Sequence, residues 1–115
     1  EEFVVWGSGS QRRGFLHVDD AVHGIIAALE SGMGNGVIQI GPEHSYSIGD
    51  IAERIVQLSG KNIPIRFDTE KPEGDKDRFA SLEKAERLLG WKPTVSLDTG
   101  LAKTYSWAKT NLINR

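Results

Sequence analysis

Three features of the sequence predict an α/β fold, α+β if the chain stands alone. Four segments carry apolar residues at helical spacing, and short apolar or alternating runs bounded by glycine and proline lie between them. No internal repeat or low-complexity stretch interrupts that alternation. With 115 residues the chain has room for one domain with a modest core and too little for two.

Taken in order, Phe3–Trp6 is a continuous apolar run stopped by Gly7, which reads as a strand. Phe15, Leu16 and Val18 read as a second extended piece. Asp19 or Asp20 then stands where a helix N-cap belongs, its carboxylate able to accept the orphan N–H groups of a first turn. Val22, Ile25, Ile26 and Leu29 follow at i, i+3, i+4, i+7, one stripe of a helix expected to face a core, and Gly32 stops it. Val37–Ile40 alternates like a strand until "GPEHS" breaks it. Ser47, with Asp50 three residues on, opens a second helix with Ile48, Ile51, Ala52 and Ile55 inward and Gly60 at its end. Ile63–Phe67 is a strand whose Pro64 suggests an edge or a start, and "DTEKPEGDKD" is a polar loop. Ser81 is expected to cap a third helix, with Ala85, Leu88 and Leu89 inward and Gly90 closing it. The last helix starts near Ser96 or Asp98 and lines up Leu97, Leu101, Tyr105, Ala108 and Leu112.

Composition narrows the function classes. The net charge of −2 gives no general attraction for nucleic acid or an anionic membrane, so any anion site must be local. No cysteine is present, which removes disulfides and thiolate chemistry. No apolar run is long enough to span a bilayer and no signal peptide is visible, so a cytoplasmic location is expected. The chain begins "EEFVVWG" without an initiator methionine, and a piece of a longer polypeptide is the expectation.

Several motifs invite chemistry. "GSG" (residues 7–9) could bring backbone N–H groups to a phosphate, but such loops run directly into a helix, whereas this one leads to Arg12, Arg13 and an extended piece. It reads as a turn. "SGMGNG" follows a helix and precedes a strand, the reverse of a dinucleotide fingerprint. Adjacent Arg12 and Arg13 point to opposite faces of an extended segment, so at most one can turn inward to an anion, which a guanidinium fork grips bidentately. His17, Asp19, Asp20 and His23 straddle a strand-to-helix change and read as structural, with Asp19 and His23 one turn apart. Tyr105 and Lys109 have the spacing of an acid–base pair, yet Tyr105 belongs to the apolar stripe of the last helix and reads as packing.

Three blocks, "VWGSG…RGFLHVDDAV", "IPIRFDTEKPEGDKDR" and "LEKAERLLGWKPTVSLDTGLAKTYSW", together resemble the C-terminal half of extended short-chain dehydrogenases. These are the NAD(P)-dependent nucleotide-sugar epimerases, dehydratases and reductases, and the pattern is nearest to branches acting on GDP-sugars. The resemblance covers nearly the whole chain. It implies the substrate-binding portion of a Rossmann-type protein, with the NAD(P)-binding loop and the catalytic Tyr-x-x-x-Lys upstream of the residues here. It assigns Trp6 and Arg13 to the nucleotide sugar, the arginine on its diphosphate. Lys71 and Glu73 fall in the "KP-acid-G" loop lining that site, and Arg78 is a second diphosphate arginine. Two positions depart from the pattern: Gly14 stands where an acid or serine is common, and Ser81 where an aspartate is common.

The resemblance therefore implies a nucleotide-diphosphate sugar as ligand, NAD or NADP in the parent protein but none on this chain, no metal, and no catalysis by the chain alone. Self-association is expected from apolar surface that half a domain leaves uncovered. A stand-alone nucleotide-sugar module, a dehydratase fragment, and a scaffold whose arginines are only solvated charge are the other readings.

Overall fold

Two loops running side by side, each anchored at both ends by strand pairing, organise the molecule. The computed structural model describes residues 1–78 and 80–113, with side chains throughout except at 77, 78 and 113. In chain order the elements are β1 (Phe3–Trp6), β2 (Arg12–Gly14), α1 (Val18–Ser31), β3 (Ser45–Ser47), α2 (Ile48–Ser59), β4 (Ile65–Asp68), β5 (Asp77–Arg78), α3 (Glu83–Leu89) and α4 (Leu97–Ala108). A π-helical turn, Lys109–Ile113, follows α4. Strands β1 and β4 pair in parallel, Phe3 opposite Ile65 through Trp6 opposite Asp68. β2 is the middle strand of a second small sheet, antiparallel to β3 and parallel to β5. The fold class is thus α/β, with four α-helices and short strands among the described residues.

The helices start and stop for local reasons. Ser47 Oγ accepts the Asp50 N–H at 3.0 Å, as expected, and Ser96 Oγ accepts that of Thr99 at 3.2 Å, which selects Ser96 over Asp98 as the start of the last helix. Gly60 and Gly90 close α2 and α3 in the left-handed region, at φ 66° and 60°. Two caps differ from expectation. His17 caps α1, its Nδ1 accepting the Asp19 N–H, because the helix begins one residue earlier than Asp19. α3 begins at Glu83 behind Leu82, with no side-chain cap from Ser81.

The strands differ more. The extended piece expected around Phe15–Val18 lies earlier, at Arg12–Gly14, and Val18 is already helical. β4 begins after Pro64, whose carbonyl accepts the Phe3 N–H at 2.9 Å, so the proline stands just outside the ladder it could not join. "SYS" forms β3 although its sequence carries no strand period. Pairing with β2 imposes it, helped by Arg12, which donates to Ser45 Oγ and Ser45 O. Val37–Ile40 is not a strand. Its alternation is nonetheless real: methyls placed at Gly32 and Gly24 would come within 3.0 and 2.8 Å of Ile38 and Ile40, while Val37 is 84% exposed. The segment lacks only an edge to pair with.

The buried apolar residues are few: Val5, Ile51, Ala52, Ala85 and Trp91. α2 packs against β1, β3 and α4, and α1 against α3. Here the largest departure from the sequence reading appears. The stripe Val22, Ile25, Ile26 and Leu29 has the expected helical period but faces outward, 46–65% exposed, joined by Val18. Asp20 and Gly24 form the buried face instead. The molecule is correspondingly flat, 51 × 33 × 20 Å, with a Cα radius of gyration of 16.7 Å. A compact domain of this size has a radius of about 13 Å. Its 7988 Å² of accessible surface exceeds by about a quarter that of a compact monomer of its mass.

Candidate functional site

The site follows from the paired loops. β1 and β4 run out together at Trp6 and Asp68, and β2 and β5 resume the pairing at Arg12 and Asp77. Between these anchors, residues 7–11 take the short path and residues 69–76 the long one. The longer segment therefore lies as a strap along the shorter. Asp68 begins it: its carbonyl accepts the N–H of Gly7 at 2.8 Å and of Lys71 at 3.2 Å, and its Oδ1 accepts that of Glu70. This turn doubles the chain back over β1. The Lys71 ammonium sits 5.9 Å from the centre of the Trp6 ring, itself 60% exposed.

Further along the strap, Glu73 accepts hydrogen bonds from the hydroxyls of Ser8 and Ser10. Arg13 Nη1 donates to the carbonyls of Arg12 at 2.7 Å and Asp75 at 2.6 Å. A guanidinium has five N–H donors in one plane, and these two bonds fix that plane while engaging one edge. No hydrogen bond of its Nε or Nη2 to a described residue is formed. Gly74 lies beneath Nη2, where a Cβ would come within 3.3 Å. Arg12, on the opposite face as expected, spends Nε and Nη2 on Ser45.

Along the paired segments, Lys71 thus meets Trp6, Glu73 meets Ser8 and Ser10, and Arg13 meets Asp75. For Arg78 the structure gives the backbone alone: position 78 pairs with position 13 across the β2–β5 ladder, and the side chain lies outside the described residues. Sequence reasoning missed Ser8, Ser10 and Gln11. Gln11 is buried and donates from Nε2 to the Trp6 carbonyl at 3.2 Å, steadying the end of β1. Serines and an acid more than sixty residues apart carry no periodic signal that could have paired them.

The glycine loop does not cradle phosphate. It directs carbonyls, not N–H groups, at the N-terminus of α2: Gln11 O accepts from Ile48 N at 3.0 Å and Gly9 O from Gly49 N at 2.9 Å. With Ser47 taking Asp50 N, the first donors of α2 are engaged internally. Nor do the histidines and aspartates gather at a ligand. His17 caps α1, Asp19 meets Lys103 at 3.4 Å, and Asp20 bonds to Thr94 and Val95.

A cleft of about 310 Å³ lies elsewhere, between Phe15, His44, Tyr46 and Ser96, and no lysine or arginine lines it among the described residues. The paired-loop edge carries the cations Arg13 and Lys71.

Solved structures that superpose on this chain include nucleotide-sugar enzymes. UDP-glucuronic acid 4-epimerase from Bacillus cereus, solved with UDP-glucuronic acid and NAD, matches with a TM-score of 0.85 and 37% identity over 96% of this chain and 36% of its own. dTDP-glucose 4,6-dehydratase from Bacillus anthracis, solved with NAD, matches with a TM-score of 0.88 and 26% identity over 98% of this chain and 36% of its own. By sequence, GDP-L-fucose synthase 1 of Arabidopsis thaliana is 37% identical over 115 residues, all of this chain and 35% of that protein. The chain spans about a third of the length of such relatives.

Residues 1–104 match the GDP-mannose 4,6 dehydratase family. The chain belongs to that family, within the extended short-chain dehydrogenases.

Proposed function

We propose that this chain is the substrate-binding part of an NAD(P)-dependent nucleotide-sugar epimerase, dehydratase or reductase, and that it grips the nucleotide diphosphate. Arg13 supplies the fork. With Nη1 anchored on two carbonyls, its Nε–Nη2 edge remains to take two phosphate oxygens side by side. That half-engaged guanidinium is the observation carrying the reading. Lys71 adds a point charge, and the pairing of position 78 with position 13 supports Arg78 as a second fork. Trp6, exposed at the end of β1, offers a ring face to the nucleotide or sugar.

The reacting carbon must give up or receive a hydride, and NAD(P) when bound would supply the acceptor in its oxidised form and the donor in its reduced form. This chain's own residues contribute binding energy remote from that carbon, holding the sugar in position for transfer. A GDP-sugar is favoured, because the matched family and the fucose synthases are named for GDP substrates. The outward stripe of α1 and the unpaired Val37–Ile40 segment support a dinucleotide-binding sheet packing against this face in the parent protein. On this reading the chain alone is inactive.

Calorimetry on the full-length protein with GDP, UDP and dTDP tests the reading. Arg13→Ala should weaken the preferred nucleotide at least about tenfold. Unchanged affinity would leave the arginine as ordinary surface charge and end the proposal. Turnover of a GDP-sugar with NADPH by the 115-residue chain would overturn its predicted inactivity.

A further inference from the structure

Glu73 carries the wrong charge for the ligand its neighbours suit. A carboxylate set against a diphosphate repels it, the more strongly as solvent is excluded. The geometry gives Glu73 another task. Its Oε1 accepts from the hydroxyl of Ser8 and, at 3.4 Å, from that of Ser10. The two hydroxyls are themselves 2.7 Å apart, and Ser8 Oγ accepts the Ser10 N–H at 3.2 Å, so the serines form one preset acceptor-and-donor turn. Gly7 makes room for the contact: at φ 84° it leaves a position where a Cβ would lie 2.8 Å from Glu73 Cγ.

We propose that Glu73 is a positioning residue, a latch that fastens the 69–76 strap to the 7–11 loop and thereby sets the separation of Lys71 from Arg13. The inference rests on the diphosphate reading above and deepens it. The ladders hold the strap near its ends, at Asp68, at Asp77 and at Lys76, whose carbonyl accepts the Arg12 N–H at 2.8 Å. Between them, the Lys71–Trp6 contact is a long cation–π approach, and the Arg13–Asp75 bond uses the residue that must also hold ligand. Glu73 lies midway between Lys71 and Asp75, on a turn that takes no part in gripping phosphate. Released there, Lys71 would have to be ordered at each binding event, at an entropic cost that the latched strap has already met.

The test uses the full-length protein, GDP calorimetry, and amide hydrogen exchange of residues 69–76 without ligand. Glu73→Ala should speed exchange across the strap and weaken GDP binding about tenfold. Glu73→Gln keeps a carbonyl acceptor for the hydroxyls and should stay within about threefold of wild type. The pair Ser8→Ala, Ser10→Ala should reproduce Glu73→Ala, and adding Glu73→Ala to it should change nothing further. Tighter GDP binding in Glu73→Ala, or a serine pair that binds and exchanges like wild type, would overturn the latch. The two proposals fail separately. An Arg13→Ala protein with unaltered GDP affinity removes the diphosphate reading, while exchange without ligand still reports whether Glu73 fastens the strap.

Discussion

Asp20, in the first turn of α1, is 1% exposed and reaches the turn at Thr94. It accepts the Thr94 N–H and hydroxyl at 3.0 Å each on one oxygen and the Val95 N–H at 2.9 Å on the other. One carboxylate thus ties the first long helix to the turn that opens the last. Burial alone pushes its pKa up. The hydrogen bonds from Thr94 and Val95, with the field of His17, outweigh that and hold it below the ordinary carboxylate value.

Asp20→Ala should therefore cost about 3 kcal/mol of unfolding free energy, because it strands N–H groups that the carboxylate now satisfies. Urea titration measures it. The pH dependence has a definite sign. A depressed folded pKa means that the carboxylate's contribution is complete above its unfolded pKa, about 3.9, and is lost as pH falls through the folded value. The difference in stability between wild type and Asp20→Asn should be constant from pH 7 to about pH 5 and shrink below about pH 4. A gap that widens with acid would contradict the assignment.

Gly9 stands at φ 76° with the ring of Phe67 in the space a side chain would fill. Gly9→Ala should destabilise by about 3 kcal/mol, the sum of a left-handed penalty and an overpacked contact. Combining it with Phe67→Leu should recover the packing part and leave about 1 kcal/mol of backbone strain. Denaturation of the four proteins of this cycle decides the matter. Strict additivity would mean that ring and glycine do not meet.

The adjacent arginines should separate cleanly. Arg12→Ala should lower stability by about 1 kcal/mol, since its guanidinium bonds only to Ser45 in a part of the molecule that is solvent-exposed. Nucleotide affinity should not change. Arg13→Lys should fold normally yet bind GDP about tenfold more weakly, because an ammonium cannot present two donors side by side. Calorimetry beside thermal melting reads both. Equal losses of affinity at the two positions would remove the distinction.

The outward stripe of α1 should drive association of the 115-residue chain at micromolar concentration, as such faces do. Ile25→Glu with Leu29→Lys, both at exposed positions, should shift sedimentation toward monomer without changing the helical circular dichroism. A monodisperse wild-type monomer would refute this.

Much of the architecture could be read from periodicity. α2 and α3 turn inward the stripes their spacing marks, with Ile51, Ala52 and Ala85 buried. α4 half-buries Leu97, Leu101, Tyr105 and Ala108, while Leu112, expected on the same face, lies in the π-helical turn and is 61% exposed. Spacing fixes a helix's apolar side but not what lies against it, so α1 was legible as a helix and not in its orientation. For the same reason Val37–Ile40 alternates correctly without becoming a strand, and β3 becomes one without alternating: pairing is a property of the neighbour. Resemblance, not periodicity, nominated Trp6, Arg13, Lys71, Glu73 and Arg78 as site residues, and their binding role stands as the proposal above. The tie between Glu73 and the serines was legible from neither, because it depends on two ladders bringing remote loops into register.

The loop at residues 7–11 serves two masters. Its carbonyls complete the opening turn of α2, while its far end aims Arg13. Its length is consequently frozen: one residue added or deleted would break either the helix start or the arginine's bearing. Length can change at less cost beside Gly34, where a Cβ would meet no atom within 4 Å.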